Sequence, residues 1–208
     1  MRSELFHRHF DQCPLVAIIR GVTPADAAGI GQTLFDSGFR IIEVPLNSPD
    51  PFASIRIIAD VLGDEALVGA GTVLDPKDVD RVKEAGGRIV VSPNMNPRVI
   101  EATVAAGLVS SPGVFTPSEA FAALEAGANA LKLFPAEAAS PKVVKAMRAV
   151  LPAYVPLLIV GGVTPDSLGG WLEAGADGFG LGGGLYKPGQ SVEETRRKAG
   201  AYLQALRS

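Results

Sequence analysis

Short apolar runs alternate with longer amphipathic segments along almost the whole chain. Many amphipathic segments end in Ala-Gly or Ser-Gly, and an apolar run follows at once. Glycine after a helix supplies the left-handed conformation that lets the chain turn back. A continuous apolar run is typical of a strand that is covered on both faces, as in a parallel sheet. The repeated phrases are DSGFRIIEV (36–44), EAGGRIVVS (84–92), AAGLVSSPG (105–113), EAGANALKLF (125–134) and EAGADGFGLG (173–182).

This pattern predicts eight strands that alternate with eight helices. Several helical segments open with Ser, Thr or Asp next to Pro, as in TPSE and TPDS. Such a residue can accept a hydrogen bond from the free amides of the first turn. Pro at the first helical position loses no helical hydrogen bond, because an N–H there has no partner within the helix. The predicted strands lie near 15–20, 40–45, 66–71, 88–92, 107–111, 129–134, 156–161 and 177–182, and the predicted helices near 24–37, 50–62, 76–85, 96–106, 117–126, 140–150, 165–174 and 190–206.

The alternation predicts an α/β protein, a single-domain (β/α)8 TIM barrel over residues 1–208 with an additional N-terminal helix. A doubly wound open sheet is the structural alternative. The sequence GAGTVL after the third strand matches the dinucleotide-binding fingerprint too poorly to favour it.

Composition narrows the possible partners and compartments. The 208 residues are 47% hydrophobic, which suits one sizeable core. The net charge of −3, with no basic run, argues against a nucleic-acid partner. The apolar runs are too short to span a membrane, and the N-terminal MRSELFHRHFDQC lacks the apolar segment of a signal peptide. The single cysteine, Cys13, cannot form an internal disulfide, so we expect a cytoplasmic protein.

The small number of histidines argues against zinc sites and serine-hydrolase chemistry. The only histidines are His7 and His9, both in the predicted N-terminal helix. No cluster has zinc-ligand spacing, so no metal site is predicted, and a serine hydrolase would lack its histidine base. Any acid–base work must fall to Glu, Asp, Lys, Tyr or water.

Two ionisable residues interrupt the predicted strands. Lys132 lies between Leu131 and Leu133, and Glu43 lies between Ile42 and Val44. Side chains alternate along a strand, so if the leucines pack against the helices, Lys132 points into the barrel. The same reasoning directs Glu43 inward from the second strand. An amine and an acid should therefore enter one cavity.

The charged pair has a structural and a functional interpretation. As a buried ion pair it would gain little stability over the branched apolar residues that fill most barrels. Burial lowers the pKa of a lysine, and the neutral amine attacks a ketone to form a Schiff base. The iminium accepts electrons during C–C cleavage while a carboxylate moves protons. We therefore favour Lys132 as nucleophile and Glu43 as acid–base group.

Other candidates lie where the strands end, which is the active-site face of such barrels. Arg20 ends an otherwise uncharged strand and suits an acidic substrate group. Gly161 and Gly162 follow the seventh strand, and the eighth ends in Gly182–Gly184, where backbone amides can approach a phosphate. The remaining candidates are Thr72, Pro93, Phe134 and Val160, with a helix cap as the alternative for Thr72 and a core position as the alternative for Phe134.

Taken in order, the motifs resemble those of the Schiff-base aldolases that cleave 2-keto-3-deoxy-6-phospho sugar acids. The resemblance runs from about residue 14 to the C-terminus. It implies Lys132 as the Schiff-base lysine and Glu43 as the proton donor and acceptor. It also implies a reaction without metal or cofactor that yields pyruvate and glyceraldehyde 3-phosphate, usually in a homotrimer. The motifs are LVAIIRG, EVPLNSP, GAGTVL, SPN, ALKLFPAE, VGGVTPDSL and GLGGGLY.

Two branches of this family act on C4 epimers. The gluconate-type enzymes usually read EVTLRT after the second strand and carry Thr before the strand-7 glycines. This chain has EVPLNSP and Val160, which resemble the galactonate type. It also has Gly183 where the family usually has Ser, so a hydroxyl contact to phosphate is absent.

Three other functions compete with this interpretation. The first is cleavage of the gluconate epimer by the same chemistry. The second is a phosphate-binding barrel isomerase with Glu43 as base and Lys132 as a fixed positive charge. The third is a non-catalytic sugar-phosphate sensor, for which no extra domain or tail offers an effector surface.

Overall fold

The computed structural model describes residues 3–207, and it forms the predicted ring of parallel strands. Every strand pair is parallel, and the hydrogen-bonded order is β5-β4-β3-β2-β1-β9-β8-β7-β6. The strands are β1 (Leu15–Ile18), β2 (Ile41–Pro45), β3 (Leu67–Gly71), β4 (Ile89–Val91), β5 (Val109–Ser111), β6 (Gly113–Val114), β7 (Leu131–Leu133), β8 (Leu157–Val160) and β9 (Gly178–Leu181).

The fifth strand of the barrel continues beyond the predicted end at residue 111 and is divided in two at Pro112. Proline has no N–H to donate to a strand ladder, so the pairing breaks there. The first half, β5, pairs with β4, and the second half, β6, pairs with β7. Because the halves are adjacent in the chain, they join the two edges of the sheet and close an eight-stranded barrel. The open doubly wound alternative is therefore wrong.

Helices cover the outside of the barrel, close to the predicted positions. The seventh outer helix of the pattern begins as a 3-10 turn over Pro165–Ser167 and continues as α8. The helices are α1 (Glu4–Phe10), α2 (Pro24–Ser37), α3 (Pro51–Leu62), α4 (Lys77–Glu84), α5 (Pro97–Ala105), α6 (Pro117–Glu125), α7 (Pro141–Arg148), α8 (Leu168–Glu173) and α9 (Val192–Leu206).

The helix starts agree only in part with the capping prediction. Thr116 forms a capping box with Glu119, and the Lys77 amide donates to Asp75. Within the described residues, Asp50 and Ser140 make no such side-chain bond. The Pro that follows still favours a helix start there, because its backbone angle suits the first turn.

Strand side chains separate into two apolar layers. Leu131, Leu133 and Ile42 pack in the layer between strands and helices, as predicted. Val16, Ile41 and their neighbours inside the ring form a second, smaller cluster. This alternation confirms that Lys132 and Glu43 point into the barrel.

Helix α1 closes the N-terminal end of the barrel. Phe6 and Phe10 stack with ring centroids 4.8 Å apart and belong to the inner cluster. His9, on the same helix, is also buried. The two histidines therefore lie at the end of the barrel opposite the polar strand ends. Residues 1 and 2 of the predicted N-terminal helix lie outside the described residues. In the range 3–207, no helix is long and apolar enough to cross a membrane.

Candidate active site

A cavity of about 370 Å³ opens at the C-terminal ends of the strands. Nearly all the residues predicted for the site line it. These are Lys132, Arg20, Thr72, Pro93, Phe134, Val160, Gly161, Gly162, Gly182 and Gly183. Glu43 lies below them and faces a smaller space inside the ring, which Lys132 and Val160 also line. The fold therefore brings every predicted residue to one region, while their roles remain predictions.

Lys132 and Glu43 face one another across the barrel. Their strands, β7 and β2, are separated by three strands in the ring, so they occupy opposite walls. Both side chains are buried, with 8% of Lys132 and 1% of Glu43 exposed. Among residues 3–207 the two form no ion pair within 4.0 Å, and Glu43 Oε2 has no hydrogen-bond partner. This geometry argues against a purely structural ion pair.

Burial shifts the pKa values of the two groups toward each other. Desolvation raises the pKa of Glu43 from 4.5 to about 7, although Lys132 and Arg20 oppose the shift. Desolvation also lowers the pKa of Lys132; Glu43 opposes that effect and Arg20 adds to it. The Lys132 ammonium lies 4.7 Å from the centre of the Phe134 ring. Burial thus favours the neutral amine of Lys132, and Glu43, with a pKa of about 7, can hold or release a proton near neutral pH.

Gly71, at the end of β3, makes room for the Glu43 carboxyl group. A Cβ atom at residue 71 would lie 2.3 Å from Glu43 Oε1 and closer still to Oε2. Real Cβ atoms do not approach this closely, so any side chain here would displace the carboxylate. The second glycine of GAGT, Gly71, is therefore required because the Glu43 side chain on β2 occupies the space next to it.

Two strand ends next to the cavity have unusual backbone geometry. Thr72 follows β3 with a φ of 56°, which is costly for a β-branched residue and is typical of functional sites. Arg20 is followed by Gly21, with a φ of 81°. The Gly21 amide donates a 2.9 Å hydrogen bond to Ser48 Oγ, which ties the turn after β1 to the loop after β2. Arg20 is thereby held at the mouth of the barrel.

The other end of the cavity is built largely from glycine backbone. Gly161 and Gly162 follow β8 with φ values of 112° and 63°. Gly182 and Gly183 follow β9, and a Cβ atom added at either would meet nothing within 4 Å. Small residues on two adjacent loops leave backbone amides open to an anion.

Several lining residues were not predicted from the sequence. Glu137 packs against Gly161 and Gly162, and Lys187 reaches the cavity from the loop after β9. Their signals were present in FPAE, which begins at the end of the sixth predicted strand, and in LYKPG, which lies shortly after the eighth. The remaining missed lining residues are Ile18, Val163, Gly180, Tyr186 and Pro188, whereas Gly184 belongs to the predicted glycine cluster after the eighth strand. Over residues 3–207, no group of three or more His, Cys, Asp or Glu side chains is placed to hold a metal ion.

A comparison with protein-family models decides the family. Residues 7–197 match the model described as "KDPG and KHG aldolase". The chain belongs to the KDPG and KHG aldolase family. It is therefore an aldolase, a carbon–carbon lyase, on the single-domain barrel described above.

Individual relatives of this aldolase point to one branch. The 2-dehydro-3-deoxy-6-phosphogalactonate aldolase of Escherichia coli (strain K12) is 48% identical over 194 residues, 93% of this chain and 95% of the relative. A protein from Rhizobium meliloti (strain 1021) described as a probable enzyme of the same name is 47% identical, over 92% and 91% of the two chains. The solved structure titled "Native KDPGal structure" is 46% identical, with a TM-score of 0.94 over 100% of this aldolase and 98% of that chain.

The raised pKa of Glu43 should make the free energy of unfolding depend on pH. The folded state holds the Glu43 proton more tightly than the unfolded state, so this contribution is complete below pH 4.5 and is lost as pH rises through about 7. Glu43→Gln does not titrate. We expect its free energy of unfolding to rise relative to wild type across this window, by up to ~1.4 kcal/mol per pH unit.

Urea denaturation at a series of pH values measures this difference. The control is Glu125→Gln, an exposed glutamate of α6, whose difference from wild type should stay constant with pH. If the Glu43→Gln difference is equally constant, the carboxyl group is not desolvated as described.

Proposed function

We propose that this protein is a class I aldolase that cleaves 2-dehydro-3-deoxy-6-phosphogalactonate to pyruvate and D-glyceraldehyde 3-phosphate through a Schiff base on Lys132. One observation carries the proposal. A buried amine with a lowered pKa faces a buried carboxyl group across a cavity that opens to solvent.

The first stage is attack of the amine on the substrate. Neutral Lys132 Nζ adds to the C2 ketone, and loss of water gives an iminium. Glu43 is the acid–base group within the ring, and with a pKa of about 7 it can hold or release the protons of this step. The buried surroundings of Lys132 favour the neutral amine that starts the reaction.

The second stage breaks the C3–C4 bond. Glu43 accepts the proton of the C4 hydroxyl group, directly or through one water, while the bonding electron pair moves into the iminium and forms an enamine. Glyceraldehyde 3-phosphate is released as the C4 oxygen becomes a carbonyl. The enamine then takes a proton at C3, and hydrolysis of the new iminium frees pyruvate and Lys132.

The cavity offers complementary contacts at both ends of such a substrate. Arg20 acts on the pKa values of both Glu43 and Lys132, so it lies near the reacting end, where it suits the C1 carboxylate. Thr72, Pro93 and Phe134 line the wall beside it. The amides of the glycine loops suit the terminal phosphate.

Support for the galactonate epimer comes from a position next to the reacting carbon. Val160 ends β8, points into the ring and borders both the main cavity and the space shared by Lys132 and Glu43. Its apolar side chain offers no hydrogen bond to a C4 hydroxyl group. The two close relatives, one of them described as probable, carry the galactonate name.

Borohydride trapping tests the central proposal. We expect pyruvate plus borohydride to attach a 1-carboxyethyl group to Lys132 by reduction of the iminium to a secondary amine, detected by mass spectrometry of the digested protein. Lys132→Arg should abolish labelling and lower kcat by at least about 10³-fold, because a guanidinium cannot form the Schiff base. Lys142→Ala, an exposed lysine of α7, should label normally. Labelling that survives Lys132→Arg, or its absence in wild type, would reject the proposal; an isomerase would tolerate the charge-conserving change.

Epimer preference tests the role of Val160. We expect wild type to have a higher kcat/KM for the phosphogalactonate acid than for the phosphogluconate acid. Val160→Thr should move the ratio toward the gluconate epimer by about 10-fold, the order expected for one hydroxyl contact. Val150→Thr, at an exposed position outside the cavity, should leave the ratio unchanged. Higher wild-type kcat/KM on the gluconate epimer would favour the alternative substrate.

We also propose a cytoplasmic homotrimer. Exposed apolar side chains on and beside α5 and α6, namely Val104, Phe115 and Phe121, support a contact between copies. The buried thiol of Cys13 suits a reducing compartment. Sedimentation equilibrium should give about three times 21.5 kDa, and Phe121→Glu should lower the mass toward one copy. A wild-type monomer would contradict the trimer.

A further inference from the structure

Glycine backbone forms much of the wall at the phosphate end of the cavity. Five glycines line it: 161 and 162 on one loop, and 182 to 184 on the next. A Cβ atom added at Gly183 would meet nothing within 4 Å, so space exists where a side chain is missing. Backbone amides alone carry only partial charges, whereas a phosphate monoester carries about −1.5 to −2 at pH 7.

A negative charge near these loops increases the need for a positive side chain. Glu137 packs against Gly161 and Gly162, so a carboxylate borders the space that the phosphate would enter. Like charges at short range repel each other unless a cation lies between or beside them. A dianion at this end of the cavity therefore needs a positive side chain nearby.

Three basic side chains line the cavity, and two belong to the reacting end. Lys132 is the proposed nucleophile, and Arg20 lies close enough to affect the pKa values of both Lys132 and Glu43. The third is Lys187, which lines the cavity from the loop after β9 together with Gly182 and Gly183. Over residues 3–207, no carboxylate lies within 4.0 Å of the Lys187 ammonium group.

Packing holds the Lys187 loop against the rest of the mouth. The ring of Pro188 lies where a Cβ atom of Gly21 would be, only 2.5 Å from that position. Gly21 is in turn hydrogen-bonded to Ser48. On the other side, the Gln190 amide donates a 3.0 Å hydrogen bond to the Lys187 carbonyl oxygen. The backbone of Lys187 is thus fixed, while its side chain remains exposed and available to a ligand.

We propose that Lys187 binds the terminal phosphate of the substrate and supplies the side-chain contact that Gly183 cannot make. The inference rests on the proposed function, because it assumes a phosphorylated substrate with its ketone at Lys132. It assigns Lys187 to substrate specificity and leaves bond cleavage to Lys132 and Glu43.

Replacement of Lys187 separates phosphate binding from Schiff-base chemistry. We expect Lys187→Met to raise the KM of the phosphorylated acid and the inhibition constant of inorganic phosphate by about 10-fold, as expected for loss of one charged hydrogen bond. kcat should change by less than about twofold. Lys187→Arg should keep near wild-type values, and Lys142→Met, on α7, should behave as wild type.

Pyruvate trapping by borohydride provides the second readout, since pyruvate has no phosphate. The trapping rate should be the same in wild type and Lys187→Met. If wild type does not trap pyruvate, the proposed function fails, regardless of how inorganic phosphate inhibits the enzyme. If trapping is normal but Lys187→Met keeps wild-type phosphate inhibition, the role of Lys187 is overturned.

A second substitution tests the relation to Gly183. The open space at this position should accommodate Gly183→Ser without displacing other atoms. We expect Gly183→Ser added to Lys187→Met to recover at least about threefold of the lost phosphate affinity. No recovery would overturn the claim that Lys187 compensates for the missing side chain. The melting temperatures of all variants, compared with wild type, show whether any loss comes from unfolding.

Discussion

Desolvation of Glu43 and Lys132 inside the barrel is the constraint on which the site depends. Removing an ion from water costs several kcal/mol, and a direct ion pair would recover part of that cost. The two side chains lie on opposite walls and form no such pair within the described residues. The cost therefore appears as pKa shifts of opposite sign, upward for Glu43 and downward for Lys132, and both shifts favour the neutral forms of the two groups.

Closure of the barrel buries the side chains inside the ring. The fifth strand is divided at Pro112, and its two halves pair with β4 and β7, so the strands form a closed ring. Helix α1 covers the N-terminal end with Phe6 and Phe10. The main cavity opens at the C-terminal end, where the polar strand ends and the glycine loops lie. The same architecture thus supports both the burial of Lys132 and access of substrate from this end.

The cavity divides into two chemically different ends. Around Lys132 it is buried and lined by strand side chains, which suits bond breaking with controlled proton transfer. At the glycine loops it is exposed and lined by backbone, which suits a hydrated anion. Glycine is required at this end in two distinct ways: Gly161 and Gly162 adopt positive φ and contact Glu137, while Gly183 leaves open space. A side chain at Gly183 would therefore meet no neighbouring atom, whereas one at Gly161 or Gly162 would collide with Glu137.

Much of the fold and of the candidate site was predictable from local patterns. The spacing of Ala-Gly and Ser-Gly before apolar runs identified five of the eight strands, and the apolar runs themselves indicated the other three, because helix termination and strand burial are local properties. Alternation within a strand also gave the inward direction of Lys132 and Glu43 correctly. The side-chain caps predicted at Asp50 and Ser140 do not form, although a helix starts at both positions. The residue type permits a capping hydrogen bond but does not require one.

The amino-acid sequence by itself determined which residues form each strand, which face each side chain occupies and which chemistry is available. Closure of the ring decided the rest. It placed Glu43 opposite Lys132, directed the Glu43 carboxyl group into the space above Gly71, and seated Pro188 on Gly21. These contacts join segments far apart in the chain. Their distances depend on the strand stagger and twist of the whole barrel, which no local pattern of residues encodes.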